Sequence, residues 1–297
     1  MSQQIPENFV QAYSNNFYEL GQQISSRFQP VCVLMAGIVG SSKTVERVGK
    51  VDAYDITSRH ADTIYVETPH SRRWLDLADK GAADLVDEMD EIRLLADPKS
   101  KYPKLMVQAL NRAKDDIIYA AVRGSARTGT GVQALPAAQK IAEGGTGLTL
   151  AKLLTAKELL DAAEIGNDTD EAAMEMTGQG KVYDRVIACS SKQLTNLYGT
   201  TEVKNIDYNT VKALSEGKID EFLGFRFIRS ERLVKTGTTR FAVGWCRQSV
   251  CLGIGKDIVT SIDTLPAKNY SVQVYARMSI GAVRIEDEGV IEIGCFE

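Results

Sequence analysis

Thr68-Pro-His-Ser-Arg-Arg-Trp74 closes the stretch whose reading decides the fold of this chain. From Lys43 to Arg73 the sequence carries six basic and five acidic residues, spread over both parities of any strand register. β signals lie at Val51-Asp-Ala-Tyr54 and Ile64-Tyr-Val66, and Ser58-Arg-His-Ala-Asp62 reads as the turn region between them. The pattern predicts a hairpin charged on both faces, which has no place in its own core. A lone two-stranded ribbon is marginal in water. The segment is therefore either an ordinary solvated hairpin or a piece that rests on another chain, where its mixed charges meet complementary ones.

Just upstream, Val31-Cys-Val-Leu-Met-Ala-Gly-Ile-Val-Gly-Ser-Ser-Lys-Thr44 imitates a phosphate-binding loop. Such a loop needs a helix starting at the Lys-Thr, so that its N-terminus faces the anion. Val45 to Ile56, with Gly49 and several β-branched residues, makes a poor helix. Ser42 also puts a Cβ where the template has glycine and the backbone must approach phosphate. A nucleotide-binding enzyme is the disfavoured reading.

Further toward the N-terminus, Phe9, Tyr13, Phe17, Leu20, Ile24 and Phe28 recur at helical spacing after Pro6-Glu7. This apolar stripe suits either core packing or an arm reaching a neighbouring subunit. Downstream, positions 76–97 hold eight acids against Lys80 and Arg93, so charge is segregated in a chain of net charge −4. Asp84, Asp87, Glu88 and Glu91 are expected to share a helical face, as a solvated or interface-facing acidic surface rather than a divalent-ion site.

Two long elements follow. Asp97-Pro98 signals the start of a helix over about 98–124, with Pro103 near its first turn and Gly124 as its stop. Leu105, Ala109, Arg112, Ala113, Ile117, Ala120 and Ala121 are expected to keep one face of it. Ser271 to Ala282 alternates apolar and polar residues over twice the usual strand length, with Gly281 as the point where it could break. A helix and a strand of such length suggest one elongated domain built from distant parts of the chain. Between them come Gly-rich loops at 123–131 and 143–147, then a helix from Leu150 to about Ala163 capped by Thr149. Strand-like runs at 185–189, 222–228, 241–245 and 250–254 complete a compact α+β unit inserted into the longer one.

Chemistry-bearing motifs are sparse. The 297 residues include two histidines, no metal-spaced Cys/His cluster and no serine-nucleophile elbow. Five cysteines, 32, 189, 246, 251 and 295, form no C-x-x-C pair and read as buried free thiols of a protein made in a reducing cytoplasm. The acidic balance argues against tight binding to a phosphate backbone, and no apolar run is long enough to cross a membrane as a helix. No catalytic, cofactor-binding or metal-ligating residue is assigned, and the chain reads as a non-enzyme.

Ser58-Arg-His-Ala-Asp62 running on to Thr68-Pro-His-Ser-Arg-Arg-Trp74, Phe222-Leu-Gly-Phe-Arg-Phe-Ile-Arg-Ser-Glu-Arg-Leu233, and Gly281-Ala-Val-Arg-Ile-Glu-Asp-Glu-Gly-Val-Ile-Glu-Ile293 resemble the major capsid proteins of tailed bacteriophages. That resemblance implies an α+β phage major capsid fold of the type named after coliphage Hong Kong ninety-seven. Residues 1–30 look like its N-terminal arm and 31–70 like its first strand and extended β-hairpin loop. Residues 71–145 and 270–297 look like the peripheral domain, with the long spine helix at about 98–124 and long strands. The inserted unit 146–269 looks like the axial domain.

It further implies self-assembly, as pentamers and hexamers, into an icosahedral virion shell around double-stranded DNA, with only weak non-specific DNA contact. A separate scaffolding protein, a portal and a decoration protein are the implied partners. An encapsulin-type nanocompartment shell is the alternative. Assembly-contact candidates are Phe9, Tyr13 and Phe17 of the arm, Arg59 of the loop, and Arg72 and Arg73, expected to pair with acids such as Asp84, Asp87 or Glu88 on a neighbour. His70 and Trp74 are expected to anchor the base of the loop.

Overall fold

The computed structural model describes residues 21–60, 62–86, 101–165, 185–199 and 221–297. Along the chain run β1 (Val33–Ala36), β2 (Ser42–Val48), β3 (His70–Asp76), β4 (Ala78–Val86), α1 (Tyr102–Arg123), β5 (Ala126–Thr128), β6 (Val132–Gln133) and β7 (Lys140–Ile141). Then come α2 (Leu150–Ala162), β8 (Arg185–Cys189), α3 (Ser191–Gly199), β9 (Glu221–Phe222), β10 (Phe225–Arg229), β11 (Lys235–Thr236), β12 (Thr239–Cys246), β13 (Val250–Leu265), β14 (Ser271–Arg284) and β15 (Val290–Phe296). This is the mixed helix-and-sheet class that the sequence predicts. The described residues form two compact units, one of 21–26, 79–86, 101–113 and 256–279, the other of the remainder.

In the first unit, β13, β14 and β4 lie side by side in that order. On β14 the buried residues Val274, Ala276 and Met278 alternate with more exposed ones, as the period of two in the sequence requires. Gly81 on β4 leaves room for Tyr275, since a Cβ there would sit 3.2 Å from the ring. Asn111 and Arg112 of α1 hold the incoming chain, donating to the carbonyl of Ile24 (3.0 Å) and the side chain of Gln22 (2.5 Å).

The second unit is built on a seven-stranded sheet, ordered β7-β15-β12-β8-β10-β9, with β11 beside β12. Arg185–Cys189 is buried at every position, so the sheet is covered on both faces. Alternate residues separate two cores. Val186, Ala188, Val243, Trp245 and Val290 join Ile118, Tyr119 and Val122 of α1 on one face. Ile187, Cys189, Ala242, Ile291 and Ile293 join Leu153 and Leu160 of α2 and Leu197 of α3 on the other. The Thr149 side chain caps α2 as expected, accepting from the Lys152 backbone N–H. The Lys152 ammonium donates to four carbonyls, of Glu143, Thr146, Gly147 and Gly294, at 2.7–3.0 Å, and so ties the Gly-rich 143–147 loop to β15.

Two expectations need correction. The helix begins in the described residues at Tyr102, and its buried face is not the apolar stripe read from the sequence. Within the second unit Lys114, Asp115, Ile118, Tyr119 and Val122 are buried, whereas Ala120 is exposed. The cause is polar. Asp115 accepts the backbone N–H groups of Arg27 and Phe28 at 3.1–3.2 Å, and Lys114 reaches the Gln29 side-chain oxygen at 3.0 Å. Gly281, for its part, does not end β14. A Cβ there would lie 2.1 Å from the Asp76 carbonyl oxygen, and one at Gly253 of β13 would lie 2.5 Å from Leu75. The two glycines let β3 cross those strands at close range.

Candidate functional site

The charged stretch forms a hairpin at its foot only. β2 and β3 pair antiparallel from Ser42 opposite Asp76 to Val48 opposite His70, and the Gly49 N–H closes the ladder on the Pro69 carbonyl at 2.8 Å. β5 pairs with β3 on its other side, and β6 completes a four-stranded sheet. Lys43 and Thr44 thus lie in a strand, where a phosphate-binding loop would start a helix.

Beyond Gly49 no strand continues: Val51–Tyr54 and Ile64–Val66, expected to be β, are irregular. The physical reason is that strand propensity describes fit to a half-buried pleated surface. Here every described residue from Val48 to Arg72 is exposed. Seven large apolar side chains, Val48, Val51, Tyr54, Ile56, Ile64, Tyr65 and Val66, are among them, Tyr65 at 90%. Apolar residues so concentrated on one surface segment make it a candidate contact site. The turn at its tip contains Arg59 and His60, the latter in a left-handed conformation at φ 60°. The loop's ties to the other described residues are slight. Lys50 lies 3.9 Å from Glu164 with both side chains exposed, and donates to the Ala163 carbonyl at 3.3 Å.

The foot is held much more firmly. Arg73 is 3% exposed and donates to Asp287 at 2.7 Å and to the Ile285 carbonyl at 3.4 Å. Asp287 also accepts from Arg284 at 2.6 Å. Arg284, fully buried, donates to the carbonyls of Val122, Gly124 and Gln133. One carboxylate therefore serves two buried guanidiniums. Burial pushes the Arg73 pKa down, and the charge of Asp287 works against that shift.

The partner sought for Arg73 on a neighbour is thus matched by an acid in its own chain. Arg72 points elsewhere: it is exposed and 3.7 Å from Glu46. His70 opens β3 in an exposed position. Trp74 is half-buried opposite Arg127, whose guanidinium lies 5.1 Å from the ring centroid. Asp84 is exposed on β4, a strand, so the helical acidic face expected there is corrected at this residue. Asp87, Glu88, Glu91, Phe9, Tyr13 and Phe17 lie outside the described residues. Sequence reading missed Asp287 and Arg284 as functional groups, although both stand in the Arg284-Ile-Glu-Asp-Glu stretch that carries part of the resemblance.

All five cysteines are buried free thiols. Among the described residues no three His, Cys, Asp or Glu side chains gather as a metal site, and no helix is long and apolar enough to cross a membrane.

A family model described as phage capsid protein matches residues 5–297. The chain belongs to the phage capsid protein family. No curated protein matches it. Its fold is that of solved tailed-phage capsid proteins. The cyanophage P-SCSP1u capsid superposes with TM-score 0.71 at 17% identity, covering 99% of this chain and 95% of the other. The cyanophage Pam1 capsid gives 0.73 at 14%, with 98% and 97% covered. The capsid of a native GTA particle gives 0.70 at 11%, over 100% of both chains. At such identities the likeness speaks for the fold of this capsid protein, and its family membership makes it a structural protein of the virion shell.

Proposed function

We propose that copies of this major capsid protein assemble as pentamers and hexamers into an icosahedral shell that encloses the double-stranded DNA of a tailed phage. The observation that carries this reading is the exposed segment from Val48 to Arg72, which hangs from a firmly held foot and has almost no partner among the described residues. Many weak contacts of this kind become strong in a closed lattice, because each subunit makes several at once. Mixed charges along the segment fix register and reject wrong neighbours more than they add affinity. In this reading 1–30 is the arm, 31–70 the strand and extended loop, 71–145 with 270–297 the peripheral domain, and 146–269 the axial domain. A scaffolding protein and a portal, and in some shells a decoration protein, complete the assembly, which takes place in the host cytoplasm.

Electron microscopy of the purified chain, alone and with a scaffolding protein, tests the reading. Closed icosahedral particles are expected. Replacing Tyr65 and Ile64 together by serine is expected to abolish them while leaving the subunit folded. A chain that stays monomeric at high concentration under all conditions sinks the proposal, and particles that fill with protein cargo instead of DNA favour a nanocompartment shell.

A further inference from the structure

Between the hairpin foot and the β5–β6 turn lies a cavity of about 490 Å³. Its lining includes Arg47, His70, Arg72, Arg73, Thr130 and Asp287. Three guanidiniums and an imidazole thus face a single carboxylate, and that carboxylate is already held by Arg73 at 2.7 Å and Arg284 at 2.6 Å. Arg47 has no ion-pair partner among the described residues, and Arg72 has only the exposed Glu46 at 3.7 Å. Most telling is Arg73. Its side chain is buried, yet among the described residues its Nη1 has no hydrogen-bond acceptor. Buried donors are almost always satisfied, so an orphan in a cationic cavity points to a missing acceptor. A guanidinium cluster fits one class of acceptor best, an oxyanion gripped by forked N–H pairs.

We propose that this cavity is an oxyanion socket, filled in the assembled shell by a carboxylate from a second copy of the chain. The inference rests on the shell reading above and names one of its contacts. A second copy is the source that the charge pattern favours. The chain is acidic overall, and positions 76–97 alone carry eight acids against two bases. Each copy therefore brings surplus carboxylates to a lattice in which this cavity is a concentrated positive site. Arg47 and Arg72 supply the charge that meets the incoming group, and Arg73, held by its own Asp287, adds its charge from behind them.

The test has two arms, on wild type and on R47Q and R47Q/R72Q, all checked for native circular dichroism. In the first, unassembled full-length chain is melted in about 50 mM inorganic phosphate and in chloride of equal ionic strength. Phosphate is expected to raise the wild-type Tm by a few degrees, less in R47Q and not at all in the double variant. Equal melting of wild type in both salts overturns the socket. In the second arm the same comparison is made on assembled particles. Neighbour carboxylates filling the socket make wild-type particles insensitive to phosphate, and R47Q/R72Q particles dissociate at lower salt. Particles that respond to phosphate as strongly as free subunits overturn the second copy as the source. Failure of wild type to assemble at all counts against the shell reading, and the first arm still decides the socket.

Discussion

Asp287→Ala and Arg73→Met remove opposite ends of one buried ion pair, and the structure orders their costs. Among the described residues Asp287 is the only carboxylate bound to both Arg73 and Arg284, whose exposures are 3% and 0%. Its loss leaves two desolvated guanidiniums without a counter-charge, and breaking a buried pair in this way costs about 3–5 kcal/mol. Removing Arg73 instead leaves Asp287 and Arg284 balanced one to one. It also removes a nitrogen that is buried without an acceptor, so a methionine of similar length is expected to cost at most about 1.5 kcal/mol. With an unfolding entropy of about 2.1 cal/mol/K per residue over 297 residues, each kcal/mol corresponds to about 1.6 °C. Asp287→Ala should therefore lower Tm by about 5–8 °C and Arg73→Met by about 2 °C or less, in scans of the unassembled chain at neutral pH. Equal losses, or a larger loss for Arg73→Met, refute the charge balance assigned to this triad.

Other substitutions probe other joints. Gly281→Ala forces a Cβ to within 2.1 Å of the Asp76 carbonyl and is expected to cost about 3 kcal/mol in urea unfolding, against less than 1 kcal/mol for Gly131→Ala, where nothing lies within 4 Å. Glu231 accepts hydrogen bonds from Ser191 at the start of α3 and from Arg240, which hold its carboxyl below the usual range. Its stabilisation is therefore present above the unfolded carboxylate pKa and lost as pH falls through the folded one. The Tm gap between wild type and Glu231→Gln should be full near neutrality and close under acid. Burial pushes the thiols of Cys251 and Cys295 up to about 11 and that of Cys189 to about 12. All five cysteines should accordingly resist thiol reagents at pH 8 until the chain is unfolded.

How far the sequence could be read depended on whether local pattern or distant partners decided each element. β8, β12 and the capped α2 were legible because apolar continuity, alternation and an N-cap are local signals. The buried face of α1 was not, because its anchors are a lysine and an aspartate whose partners, Gln29 and the Arg27 and Phe28 amides, lie more than eighty positions away. The hairpin was half legible. Its charge on both faces announced a segment with no core of its own, but β propensity could not show that pairing stops at Gly49. The fate of Arg73 was invisible for the same reason as that of Asp115: Asp287 is 214 positions distant.

If the segment makes the shell contacts proposed above, these partners let it be both exposed and dependable. The foot of the hairpin is locked three ways: by the β2–β3 ladder, by the crossing of Leu75 and Asp76 over Gly253 and Gly281, and by the Arg73–Asp287–Arg284 triad. Every lock lies on the foot side of the Gly49–Pro69 closure, and beyond that closure, from Val51 to Val66, the apolar side chains meet solvent. A loop with a loose foot would lose, on docking, the entropy of its whole length. Fixing the foot in advance confines that cost to the residues that make the contact. The glycine that looked like a break in a strand is thus one of the residues that aims the hairpin. Weakening the crossing at Gly281 should therefore impair assembly more than its effect on subunit stability alone explains.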